Sequence, residues 1–121
     1  MIDSILLLLV LLQIKHWYID FVNQSGEEVE HKGIYLNWLG IKHSLKHGVG
    51  TALCVFLFVP YVEVAVIFGI FDFIMHYHID WIKMRFGNRE INTRAFWAQL
   101  GLDQLAHQLT YIGIIYALFD L

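Results

Sequence analysis

The sequence has little cysteine, proline or charge. Its 121 residues include one cysteine, Cys54, and one proline, Pro60. A single cysteine excludes an internal disulfide and a cysteine-rich zinc cluster. Only 16% of the residues are charged, and the formal net charge of −3 gives no basic face for nucleic acid. A chain of this length has room for one domain, which we assign to residues 1–121.

Hydrophobic residues, by contrast, make up 58% of the chain. They concentrate in four segments of about the length that crosses a bilayer, residues 4–22, 43–59, 61–83 and 95–119. A polar stretch, 23–42, separates the first two, and Pro60 predicts a tight reversal between the next two. We expect the first segment to be retained, because no basic residue precedes it as in a signal peptide. The pattern predicts an all-α protein, a polytopic bundle of four transmembrane helices.

Basic residues indicate the orientation of this bundle. All of them are expected in or beside the first and third connections: Lys15, Lys32, Lys42, Lys46, Lys83, Arg85, Arg89 and Arg94. By the positive-inside rule these connections face the cytoplasm and both termini lie outside it. The four tryptophans fall near the same ends, as expected of an interfacial belt.

Each predicted helix carries two metal-ligand side chains spaced four residues apart. The pairs are His16 and Asp20, His43 and His47, His76 and Asp80, and Asp103 and His107. This spacing puts both members of a pair on one helical face. All four pairs fall in the cytoplasmic half of the predicted bundle, where they can converge. Asp72 lies deeper, and we expect it to be protonated or to stand outside the ligand set.

The cost of burying these groups favours a bound metal. A carboxylate near the centre of a membrane helix costs about 2.5–3.5 kcal/mol, whereas a structural zinc ion contributes roughly 10–16 kcal/mol. Imidazole with carboxylate suits zinc first, with iron or manganese as alternatives. Eight ligands are too many for one ion, so either two divalent ions share them or some orient the others. The remaining alternative is a structural polar clamp between helices.

A metal centre in a bilayer leads to a predicted activity. We expect a metal-dependent hydrolase of a lipid or of another membrane-associated ester or phosphoester. A carboxylate left off the metal, Asp20 or Asp103, would be the general base, and Lys83 would steer an anionic substrate. The expected partners are the lipid bilayer and such a substrate, with no nucleic acid. A homodimer is compatible with four short helices, although no small-residue face indicates one.

The motifs also resemble a known family. The runs His16-Trp-Tyr-Ile-Asp20, His43-Ser-Leu-Lys-His47, His76-Tyr-His-Ile-Asp80-Trp-Ile-Lys83 and Asp103-Gln104-Leu-Ala-His107 are similar to those of domain of unknown function 3307. The resemblance implies a small membrane protein of the bacterial inner membrane, and the last two motifs look most like phage-encoded members. It also implies that these positions carry the family's motif. A looser similarity, to membrane-bound metal-dependent hydrolases and helical zinc phospholipases with His-x-x-x-Asp pairs, is analogy only.

Three other functions use the same residues. A metal-ion or proton carrier would need polar steps through the outer half, which offers only Asp72 and Glu63. A non-enzymatic phage membrane factor would use the His/Asp cluster structurally. Bis-histidine haem binding is disfavoured by the many carboxylates.

Overall fold

The computed structural model describes residues 1–121, and the chain is helical with no strand. Helix α1 spans Ile2–Trp17 and continues into a π-helical turn, Tyr18–Val22. A short helix α2 spans Gly26–His31. Three long helices follow: α3 at Trp38–Phe58, α4 at Val62–Phe86 and α5 at Arg94–Phe119. The predicted all-helical class is therefore confirmed, and the stretch 23–42 contains a helix that was not expected.

Local signals explain where the helices begin. Ser25 and Glu28 form a reciprocal capping box at α2. The Asn37 and Thr93 side chains accept hydrogen bonds from the backbone N–H groups of Leu39 and Phe96 at the starts of α3 and α5. Helix α3 starts at Trp38 rather than 43, since its N-cap, Asn37, lies six residues before His43. The reversal expected at Pro60 is confirmed.

The four long helices form an antiparallel ring. Helix α1 packs on α3 and α5, and α4 packs on the other side of both, with its widest contact to α3. The register is visible in side-chain pairs: Thr51 meets Asp72, while His43, eight residues earlier, meets Asp80, eight residues later. Both termini and the Pro60 reversal therefore lie at one end of the bundle. The connections 23–37 and 87–93 lie at the other end.

Helices α3 and α4 cross at two glycines. A Cβ atom built on Gly48 would lie 2.7 Å from the carbonyl oxygen of Gly69, and one built on Gly69 would lie 2.7 Å from that of Gly48. Only glycine permits so close an approach of two backbones. The crossing brings the imidazoles of His47 and His76 together, with ring centroids 3.5 Å apart.

The interior is more polar than the exterior. Of 26 buried residues, nine are hydrophobic and fourteen are polar or charged, while large apolar side chains cover the outside. The apolar core lies toward the termini and Pro60: Leu8, Leu12, Val55, Ala65, Tyr111, Ile114 and Ile115. The half nearer the two connections is filled by histidine, aspartate and lysine.

Two helical stretches, Ile2–Val22 and Val62–Phe86, are long and apolar enough to cross a membrane. The charge map differs from the expected one at Lys15. This residue lies inside α1 with its side chain buried in the bundle, so it is not part of either connection. The other seven basic residues lie in the half of the molecule that contains the two connections.

Candidate metal centre

Asp20 lies at the centre of the polar half. One carboxylate oxygen, Oδ1, is 2.8 Å from both His43 Nε2 and His47 Nε2 and 3.5 Å from His76 Nε2. The other oxygen is 3.3 Å from His16 Nε2. Asp20 belongs to the π-helical turn at the end of α1, a departure from α-helix that recurs at functional sites.

A second group shares two of these residues. Asp80 Oδ1 is 3.2 Å from His107 Nε2, and Asp80 Oδ2 is 3.2 Å from His76 Nε2. The ligand atoms of Asp20, His43, His47 and His76 lie within 4.8 Å of one another, as do those of Asp20, His76, Asp80 and His107. Two ligand atoms about 2.0–2.2 Å from one ion can lie no more than about 4.4 Å apart, so small side-chain shifts would let either group hold an ion.

Neither ring nitrogen of His76 makes a hydrogen bond of good geometry, although Nε2 lies 3.2 Å from Asp80 Oδ2 and 3.5 Å from Asp20 Oδ1. The side chain is fully buried, and it stacks between His47 and His107 at centroid distances of 3.5 and 4.1 Å. An unsatisfied buried polar group costs about 1–3 kcal/mol. A ligand that accepts a nitrogen lone pair removes part of that cost, and a metal ion is such a ligand.

Lysines are paired with three of the four buried aspartates. Lys15 meets Asp72 at 2.8 Å, Lys32 meets Asp80 at 2.8 Å, and Lys83 meets Asp103 at 3.0 Å. Asp20 is the buried aspartate without a lysine, and imidazoles surround it. With the histidines neutral, four carboxylates against three ammonium groups leave one negative charge at the centre, which favours binding of a cation there.

A directional hydrogen-bond chain constrains His16. The Gln104 amide donates to Asp103 Oδ2 at 2.9 Å, because a carboxylate can only accept, so its oxygen faces His16 Nε2 at 2.9 Å. His16 Nε2 then carries the hydrogen, and its Nδ1 accepts from the Tyr111 hydroxyl at 2.9 Å. In this arrangement His16 orients its neighbours and offers no free lone pair to an ion.

The hydrogen-bond chain through Tyr111 and His16 starts at a layer of polar side chains between the centre and the apolar core. The Lys15 ammonium donates to Asp72, to Thr51 Oγ1 at 3.0 Å and to the Tyr111 oxygen at 3.1 Å. Thr51 in turn donates to Asp72 at 2.6 Å. The Lys15 stem packs against Gly50, where a Cβ atom would lie 2.7 Å from its Cδ. Asp72 is thus an ion-pair partner, outside the ligand groups.

Residues of the first connection, 23–37, cover the centre at the end that faces away from the apolar core. Lys32 is buried and reaches Asp80 from beyond α2. Glu28 is buried as well, and burial raises its pKa. Hydrogen bonds from Lys46 and from the Ser25 backbone outweigh that effect and leave the pKa of Glu28 below its usual value.

Two openings lead to this region. A polar cavity of about 410 Å³ is bordered by Asp20, Gln104 and the cationic residues Lys32, Lys83 and Arg89. An apolar groove of about 330 Å³ lies between α4 and α5, lined by Ile79, Ile82, Phe86, Leu102 and Ala106. Lys83 and Gln99 border both the polar cavity and the apolar groove.

All eight predicted ligands are buried, and six of them form the two compact groups: Asp20, His43, His47, His76, Asp80 and His107. His16 lies within the same distance of His76 and His107, with its own ring nitrogens bonded to Gln104 and Tyr111. Asp103 lies beside them, with Oδ1 3.5 Å from His107 Nε2. Lys83, the predicted steering residue, pairs with Asp103.

Sequence reasoning missed part of this network. Thr51 and Tyr111 continue the α3 and α5 stripes by one more step of four residues, a signal that could have identified them. Lys15 lies within an apolar run, so it needed a buried partner. Lys32 gave no local signal, because a loop residue enters the centre only through tertiary packing.

The fold and the centre define a small helical protein with a buried histidine–aspartate cluster able to hold a metal ion. The chain belongs to the family described as Protein of unknown function (DUF3307), whose model matches residues 7–121. This agrees with the resemblance inferred from the motifs. Comparisons with curated proteins and with solved structures gave no match.

Proposed function

We propose that this protein is a four-span membrane protein that binds one or two divalent transition-metal ions, zinc first among them, and hydrolyses a membrane-associated ester or phosphoester. In the proposal all four long helices cross the bilayer of a bacterial inner membrane, with both termini outside the cytoplasm. A phage origin is part of the same proposal, and it is supported only by the resemblance of the α4 and α5 motifs to phage-encoded members of the family.

The distribution of side chains supports the membrane assignment. Large apolar residues cover the outside of all four long helices, whereas the interior of one half is charged. Exposed apolar surface on this scale is a liability in water and is normal against lipid. Seven of the eight basic residues lie in the half with the two connections, which supports a cytoplasmic placement of that end.

The observation that carries the metal proposal is the surroundings of Asp20. It is the buried aspartate without a lysine, and His43 and His47 share its Oδ1 at 2.8 Å. His76, whose ring nitrogens make no hydrogen bond of good geometry, lies 3.5 Å from the same oxygen. Three imidazoles and one carboxylate are a ligand set suited to zinc. The second group, built on Asp80 and His107, would hold a second ion.

A bound divalent ion polarises a phosphoryl or acyl oxygen and makes water a better nucleophile at neutral pH. Asp103 is the carboxylate that remains outside the ligand groups, so we assign the general base to it rather than to Asp20. In the proposed reaction water bonds to the phosphorus or acyl carbon and the ester bond breaks. The proton from water passes to Asp103 and then to the departing alkoxide.

Elemental analysis of the detergent-purified protein tests the metal. We expect one or two equivalents of a transition metal in the wild type and its loss in His76→Gln and Asp20→Asn. His78→Gln is the matched control, since His78 is two residues along the same helix and bonds Tyr35 outside the cluster. If the full-length wild type contains as little metal as the full-length variants, the proposal is refuted. The histidine–aspartate cluster would then be a structural clamp between helices.

Hydrolysis is tested next on metal-loaded protein. We expect phosphate or fatty-acid release from phospholipids or phosphoesters, lost in Asp103→Asn while the metal is retained. A metal-loaded protein that releases neither would leave a metal-binding membrane factor without this activity.

An ion carrier is disfavoured by the other half of the bundle. Beyond Asp72 and Lys15 the interior is closed by the buried apolar core around Leu8, Leu12 and Ile114. No chain of polar side chains continues through that core toward the termini.

A further inference from the structure

We propose that the apolar groove between α4 and α5 binds the acyl chain of an anionic membrane phospholipid, whose phosphate is held at Lys83 beside the metal centre. This inference rests on the proposed function and names its substrate class. It also assigns the route of entry, which is sideways from the bilayer rather than from water.

The groove has the composition of an acyl-chain site. Five apolar side chains line it, from Ile79 to Phe86 on α4 and at Leu102 and Ala106 on α5. Its volume of about 330 Å³ lies within the range of ligand sites, about 300–1,000 Å³. Ile82, Phe86 and Leu102 are each more than half exposed, so the groove opens on the surface that faces lipid in the proposed bundle.

The end of the groove has the composition of a headgroup site. Lys83 is there, and its side chain keeps 24% exposure although its ammonium bonds Asp103. Asp103 also lines the groove, and its carboxylate positions the Lys83 ammonium there. On the far side of Lys83 the polar cavity is bordered by Lys32 and Arg89 and by the acidic Asp20 and Glu30. Lys32 is paired with Asp80, whereas Arg89 is exposed and has no carboxylate partner, so Arg89 is the cation that suits a phosphate.

A second apolar groove on the protein lacks a headgroup site, so it serves as an internal comparison. It lies between α3 and α4, is lined by residues such as Leu45, Val66 and Ile70, and has about 190 Å³. No charged side chain borders it. Lipids that merely surround the protein should occupy both grooves alike, whereas a lipid bound through its phosphate should prefer the one that ends at Lys83.

Photo-crosslinking in vesicles tests this difference. The full-length protein is reconstituted in phosphatidylcholine containing a trace of phosphatidylglycerol with a diazirine on one acyl chain, and labelled residues are mapped by mass spectrometry. Chelator is present throughout, so neither metal nor hydrolysis is needed. We expect labelling at Ile82, Phe86 and Leu102 to exceed that at Val66 and Ile70 by about tenfold, the effect of one charge-assisted hydrogen bond.

Matched variants identify the contacts. Lys83→Gln should remove most of the preference, whereas Arg85→Gln, an exposed position on the same helix, should leave it intact. Ala106→Trp should block labelling by filling the groove, and Val66→Trp, in the second groove, should not. A phosphatidylcholine diazirine probe should label both grooves nearly equally. Unfolding of a variant is detected by circular dichroism, and Lys83→Arg should keep the preference.

Equal labelling of the two grooves by phosphatidylglycerol, or a preference that survives Lys83→Gln, would overturn the inference. The two proposals can fail separately. Preferential labelling without hydrolysis at any metal would keep the lipid site and reject the hydrolase, while hydrolysis without preferential labelling would do the reverse.

Discussion

The ion pair between Lys15 and Asp72 makes a sharp prediction about stability. The two groups are 2.8 Å apart, and their side chains are 8% and 1% exposed. Two unit charges at this distance attract by about 6 kcal/mol at an effective dielectric constant of about 20. Much of that attraction offsets the cost of burying the charges, so the pair as a whole adds little net stability.

Replacing one member of the pair should therefore lower the free energy of unfolding more than replacing both members. Lys15→Met leaves the Asp72 carboxylate with Thr51 alone, and Asp72→Asn leaves a buried ammonium without its counter-ion. We expect each single change to lower the free energy of unfolding by about 3–5 kcal/mol. The double variant should lie within about 2 kcal/mol of wild type, which gives a coupling energy of several kcal/mol.

Reversible unfolding by SDS in mixed micelles, followed by tryptophan fluorescence, measures these differences. Lys42→Met is the control, because Lys42 is exposed on α3, and it should change stability by no more than about 0.5 kcal/mol. Single variants that each cost less than about 1 kcal/mol would refute the reasoning. So would a double variant that costs the sum of the two singles.

Three further predictions use the same unfolding assay. Gly48→Val should cost about 1–3 kcal/mol, because a Cβ atom there would lie 2.7 Å from the Gly69 carbonyl oxygen; Gly113→Val, where nothing lies within 4 Å, should cost little. Glu28→Gln should cost about 1 kcal/mol at pH 7 as a weakened helix cap. Since the pKa of Glu28 is lowered in the folded protein, its contribution is present above the unfolded value of about 4.3 and is lost as the pH falls through the lower folded value. The gap between wild type and variant should therefore close in acid, and a gap independent of pH would contradict this. Zinc at one hundred times its dissociation constant should stabilise wild type by about 2.7 kcal/mol and leave Asp20→Asn unchanged, and equal stabilisation of both would place the ion elsewhere.

The α-helical class and the ligand residues could be predicted because both are local properties. A helix repeats every 3.6 residues, so the spacing of His43 and His47, or of Asp103 and His107, already puts each pair on one face. The cost of burying such groups then indicates that the four faces meet. Capping residues give the helix starts more accurately than hydropathy does, as Asn37 shows for α3.

The contacts between helices were decided by tertiary structure alone. Which lysine meets which aspartate depends on how α1, α5 and the first connection pack against α4. Gly48 and Gly69 set how closely α3 and α4 approach, which brings His47 and His76 together. Lys15 and Lys32 act at long range along the chain, and a lysine stem reaches partners that no local spacing indicates. Asp20 is the central carboxylate because it lies in a π-helical turn among four imidazoles. It has no lysine partner, because Lys15, Lys32 and Lys83 form ion pairs with the other three buried aspartates. The sequence by itself thus determined which side chains are available for a metal centre. Packing decided their partners, because a pairwise contact depends on the relative position of two helices and not on the periodicity of either one.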